Sequence, residues 1–84
     1  MTDTLLDQPI RPALSPRERE VLVGWILSDT KSDACAKLHI ATGTMNTHLE
    51  RIREKYERAG RPAHTKAALL ARALQDGYLR LSDL

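Results

Sequence analysis

At 84 residues the chain amounts to one small domain, near the lower size at which a hydrophobic core sustains itself. The composition, 42% hydrophobic and 29% charged, is that of a globular protein, and no apolar run approaches the roughly 18 residues that span a bilayer, which excludes a membrane-spanning helix. A net charge of +2 barely favours a nucleic-acid partner, so the placement of charge carries more information than its sum.

Residues 1–13 hold Pro9, Pro12, Asp3 and Asp7 without helical period, and read as a flexible arm or the end of an interdomain linker. The absence of a basic residue before Arg11 argues against a signal peptide. Ser15, Pro16 and Glu18 then give a capping oxygen, a proline at the first helical position and a carboxylate at the third, the pattern of a capping box. Val21, Leu22, Trp25 and Ile26 form the apolar stripe of this first helix, with Leu14 as a hydrophobic staple and an end near Leu27 or Ser28. Asp29 or Thr30 caps a second, short helix over 31–39, whose small residues Ala34 and Cys35 allow a neighbouring helix to approach closely. A lone cysteine cannot form an internal disulfide, which suits a reducing cytoplasm.

The third helix spans 42–59. Met45, Leu49, Ile52 and Tyr56 follow at steps of four, three and four, one apolar face, opposite Asn46, Thr47, Glu50, Arg51, Arg53 and Glu54. Residues 43–66 carry six basic and three acidic side chains. Charge alone leaves this face open to two readings, a solvated surface or one that grips DNA. Two helices joined by so short a turn, the second with a polar outer face, form a helix-turn-helix. Gly60 and Pro62 stop the third helix, and Thr65 caps a fourth over 66–76. Leu69, Leu70, Ala73 and Leu74, with Ala67, Ala68 and Ala71, make this helix apolar around more than one face. Either a partner helix from a second protomer covers the excess, or the alanines serve helix propensity alone. Gly77 ends the helix, and Tyr78, Leu79, Leu81 and Leu84 are placed to fold back on the body.

Other chemistry finds little support. Cys35, His39, His48 and His64 match no zinc spacing, so no metal or other cofactor is expected. The chain has no glycine-rich phosphate loop and no paired carboxylates framed by apolar residues, so an enzyme is not expected.

The run LSPREREVL at 14–22 and the run TMNTH at 44–48, followed by Leu49, Ile52 and Lys55, resemble the LuxR/NarL (GerE-type) DNA-binding domain of bacterial transcription regulators. The resemblance covers 14–78. It implies an all-α fold of four helices, the third entering the major groove of double-stranded DNA and the fourth making a homodimer contact. Carried residue by residue, it implies base contacts by Asn46, Thr47 and Glu50 and phosphate contacts by Thr44, Arg51 and Lys55. On the fourth helix it implies a dimer interface of Ala68, Leu69, Arg72 and Ala73. Glu18 would lock the helices together through Arg53 or Arg51, and His48 would be structural. This chain departs from the pattern where Asn46 and Glu50 replace common lysines, and where Ala34 and Cys35 replace isoleucine and alanine. Ala41 replaces a serine cap, leaving Thr42 as the expected substitute. Glu50 faces repulsion near phosphates unless it accepts from cytosine or pairs with a base such as Arg53, so base-edge hydrogen bonds should matter more than phosphate attraction.

The sequence therefore predicts an arm at 1–13, a helix-turn-helix domain at 14–80 and a tail at 81–84. The expected function is a cytoplasmic transcription regulator binding paired half-sites as a dimer, with RNA polymerase as a further candidate partner. It would be a stand-alone regulator or the output domain of a two-component response regulator. The alternatives are a helical protein-interaction module that does not touch DNA and a sigma-factor-like promoter-binding domain. Glu50 and the low net charge favour the former alternative, and the 44–48 run disfavours it.

Overall fold

The structure, a computed structural model, describes residues 11–84. Most of the expected arm, residues 1–10, lies outside the described residues. Four α-helices follow in order, α1 Pro16–Ile26, α2 Lys31–Leu38, α3 Thr42–Arg58 and α4 Lys66–Gln75, with a short 3-10 helix at Leu81–Asp83. The fold is all-α, with no strand among the described residues.

Each helix starts where a side chain can take up its first amides, with one exception. At α1 the Ser15 hydroxyl accepts from the Glu18 amide at 3.1 Å while the Glu18 carboxylate accepts from the Ser15 amide at 2.8 Å, a complete capping box. Thr30 accepts from the Asp33 amide and Thr65 from the Ala68 amide, both at 3.0 Å. At α3 the cap position is Ala41, with no side-chain bond. Thr42 does not substitute for it: Thr42 is the first helical residue, and its hydroxyl lies 4.0 Å from the Cys35 sulfur.

Three helices end on left-handed residues. Gly60 (φ 74°) and Gly77 (φ 78°) close α3 and α4, with Arg61 N–H on Tyr56 O and Tyr78 N–H on Ala73 O. His39 does the same for α2 at φ 56°, with Ile40 N–H on Cys35 O, although a side chain there is strained. Arg17 Nη2 donates to the Leu38 carbonyl at 3.2 Å and completes that end.

The central element is α1, which packs on α2, α3 and α4, while α2 also packs on α3. Leu14, Val21, Leu22, Trp25, Met45, Leu49, Ile52, Tyr56 and Leu69 form one buried cluster. Where α1 passes α2, a Cβ on Gly24 would sit 3.1 Å from Leu38 Cδ1, so the absence of a side chain sets that approach. Leu79 returns to the core, but Leu81 and Leu84 remain exposed, and of the expected fold-back only the first half occurs.

Two polar ties fix α3 against its neighbours. At its C-terminal end Asp76 is buried and accepts from the Tyr56 hydroxyl at 2.7 Å and from Arg61 Nη1 at 3.1 Å. Arg61 Nη2 lies 2.9 Å from the other Asp76 oxygen, and the guanidinium carbon is 5.3 Å from the centre of the Tyr56 ring. Burial, and then the bond to the Asp76 carboxylate, push the Tyr56 phenol far above its ordinary value. The second tie joins α3 to the start of α1. Lys55 Nζ donates to Glu18 Oε1 at 2.6 Å and to the Ala13 carbonyl at 2.9 Å. Burial alone would raise the Glu18 carboxyl, but the hydrogen bonds from Lys55 and Ser15 and the charge of Lys55 hold it below its usual range.

Candidate nucleic-acid interface

The face of α3 is set by its apolar period. Met45, Leu49, Ile52 and Tyr56 are each 1% exposed or less, so the rotation of the helix about its axis is fixed by the core. Thr44, Asn46, Thr47, Glu50 and Arg51 are consequently all exposed, grouped over the first two to three turns. A helix of 17 residues is about 25 Å long, and the major groove, about 12 Å wide, admits one.

The groups on this face differ in what they have left to offer. The Thr47 hydroxyl donates back to the Gly43 carbonyl at 3.0 Å, which satisfies its proton and leaves the methyl as its apolar surface. Asn46 Oδ1 accepts from Lys31 Nζ at 2.8 Å, a bond from the first residue of α2 across the turn. Glu50 and Arg51 form no ion pair among the described residues. His48 is half-buried, and its Nδ1 has no hydrogen-bond partner among the described residues.

Three expectations are corrected here. Lys55 is not a free phosphate ligand, because its ammonium is held between Glu18 and the Ala13 carbonyl. For the same reason Glu18 locks to Lys55, not to Arg53 or Arg51. Arg53 instead lies over the Trp25 ring, 5.5 Å from its centre, and Lys66 lies at the same distance. On α4, Leu69 and Ala73 cannot form a dimer interface because both are fully buried in the core of their own protomer. Ala68 and Arg72 are half-exposed, and Arg72 donates to the Pro62 carbonyl and to Gln75, both at 3.1 Å. The exposed side chains of α4 are Ala67, Ala71 and Gln75, with Leu70 and Leu74 partly covered.

Sequence reasoning passed over Lys31. The signal was present: a lysine at the first position of a helix opposes the helix dipole and implies a partner elsewhere. It also gave Arg61 and Asp76 no part in holding the fold together. Their pairing needs the return angle of α4, which spacing alone does not give.

The remaining geometry is simple. Among the described residues no group of three His, Cys, Asp or Glu is placed to hold a metal, and no helix is long and apolar enough to cross a membrane. A short helix, a three-residue turn and a longer helix with its polar face turned to solvent define a helix-turn-helix domain. The family model for bacterial regulatory proteins of the luxR family (GerE) matches residues 12–68, and the chain belongs to that family of DNA-binding transcription regulators. It is similar to the probable transcriptional regulatory protein NarL of Mycobacterium tuberculosis, in strains CDC 1551 / Oshkosh and ATCC 25618 / H37Rv. In both cases it is 36% identical over 66 residues, which cover 79% of this chain and 31% of the relative. The chain thus spans about a third of the length of the curated relatives it matches. No solved structure matches it.

Proposed function

We propose that the chain is the output domain of a signal-responsive transcription regulator of the two-component type, and that it binds paired DNA half-sites as a homodimer. The observation that carries this reading is the fixed rotation of α3, which turns Thr44, Asn46, Thr47, Glu50 and Arg51 outward together. Asn46, Thr47 and Glu50 face the base edges, Thr47 through its methyl and Glu50 through an amino donor such as cytosine N4. Thr44, Arg51 and the open amides at the start of α3 meet the phosphates. The partner protomer docks on the outer face of α4, through Ala67, Leu70, Ala71 and Leu74, with Ala68 and Arg72 at its margin. The match to only a third of each relative supports the role of an output domain attached to other parts.

The test is binding to sequences selected from a random DNA pool, followed by a salt titration. Arg51→Ala should flatten the dependence of log affinity on log salt by about one phosphate contact, roughly 0.9 in slope. Lys55→Ala should leave that slope unchanged and lower the thermal midpoint instead, because its ammonium is committed to Glu18. Failure to enrich any sequence, or equal slopes for Arg51→Ala and wild type, refutes the placement of α3.

A further inference from the structure

We propose that Lys31 and Asn46 form one reading unit that selects guanine, in which Lys31 orients the Asn46 amide and adds donors of its own. The inference rests on the docking of α3 proposed above. An isolated asparagine at this place would suit adenine, giving one hydrogen bond to N7 and accepting one from N6. Here one of the two lone pairs of the amide oxygen is taken by an ammonium, whose positive charge disfavours a second donor beside it. Lys31 Nζ lies 2.8 Å from Asn46 Oδ1, and an ammonium has hydrogens only to give. The contact therefore fixes which way the amide faces, its oxygen toward α2 and its Nδ2 away from it.

What the pair then presents to a base is a row of donors, the remaining ammonium hydrogens of Lys31 beside the Nδ2 hydrogens of Asn46. Guanine offers two adjacent acceptors in the major groove, O6 and N7, whereas adenine sets an amino group beside its N7. Donors facing that amino group would be left unsatisfied once water is expelled.

The surroundings agree with this use of Lys31. Asp29 and Asp33 stand two positions to either side in the sequence, yet Lys31 forms an ion pair with neither among the described residues. Its site at the positive end of α2 is unfavourable for the helix itself. Lys31 is half-buried and Asn46 exposed, and the bond between their side chains lies at the surface.

The experiment compares sequences selected from a random DNA pool by wild type, Lys31→Met, Lys31→Arg and Asn46→Ala, with thermal midpoints recorded for each. Wild type and Lys31→Arg should select guanine at one position of the site. Lys31→Met should shift that position toward adenine by roughly tenfold at an unchanged midpoint, and Asn46→Ala should lose the preference for either. A purely structural role for Lys31 would not move one base position while leaving the others. Adenine selected by wild type overturns the proposal, as does a uniform loss of affinity in Lys31→Met with guanine retained. No enrichment by wild type overturns the DNA reading itself, and is thereby distinguished from failure of the pair.

Discussion

Asp76→Ala puts the buried tie between α3 and α4 to its severest test. The substitution removes the acceptor of the Tyr56 hydroxyl and of two Arg61 nitrogens, and leaves a guanidinium, on a residue only 8% exposed, that keeps Gln75 Oε1 as an acceptor but loses the carboxylate charge beside it. An uncompensated buried charge costs about 3–5 kcal/mol, and an unpaired buried phenol about 1–3 kcal/mol. The two losses share one network and do not add, so a total of about 4 kcal/mol is the working figure from those principles. At 0.05–0.15 kcal/mol per residue, a domain of this size has roughly 4–12 kcal/mol to lose. Urea unfolding followed by the single tryptophan, Trp25, and by helical circular dichroism gives the readout. With a slope of about 1–2 kcal/mol per molar, the midpoint should fall by roughly 2–4 M. Replacing both partners, Arg61→Met with Asp76→Leu, should cost less than Asp76→Ala alone, since no charge is then stranded. A loss below about 1 kcal/mol for Asp76→Ala at unchanged slope would refute the reasoning, because it would mean that water already serves these groups.

Acid should loosen the other tie. The folded Glu18 carboxyl lies below its ordinary value of 4.5, so the stability it contributes is present above that pH and is lost as pH falls through the lower folded value. Glu18→Gln should therefore be less stable than wild type at pH 7 and nearly equal to it at the acid end; parallel pH profiles from denaturant titrations would contradict the Glu18–Lys55 assignment. At the turn between α2 and α3, His39→Gly should relieve the left-handed strain by about 0.5–1 kcal/mol after allowing for the greater entropy of the unfolded glycine. The thermal midpoint should rise by about 3–6 °C on that estimate, and a fall in the midpoint would assign the His39 side chain a stabilising contact of its own.

The elements themselves were legible in the sequence because each is announced locally. Ser15, Thr30 and Thr65 cap where their spacing to the apolar stripe requires, and Gly60 and Gly77 end helices because the left-handed turn favours them. The outward face of α3 was legible for the same reason, since the period of Met45, Leu49, Ile52 and Tyr56 determines its opposite. What stayed hidden were choices between partners distant in sequence. Lys55, Arg53 and Arg51 all lie within one turn or so of each other, and only the packing of α1 decides which reaches Glu18. The burial of Leu69 and Ala73 was likewise misplaced, because a helix rich in alanine has several faces that could serve as the core one. Lys31 bonds across 15 positions of sequence, through the angle between α2 and α3. The position of α1 as hub also needed the structure, since its stripe is no stronger in sequence than that of α3.

The bare start of α3 has a consequence for anyone who would improve this domain. The other three helices give their first amides an oxygen from Ser15, Thr30 or Thr65, and this one, at Ala41, does not. A serine there would be worth about 1 kcal/mol to the free protein. It would also occupy the donors that an incoming phosphate needs, so melting temperature and affinity move in opposite directions at this one position.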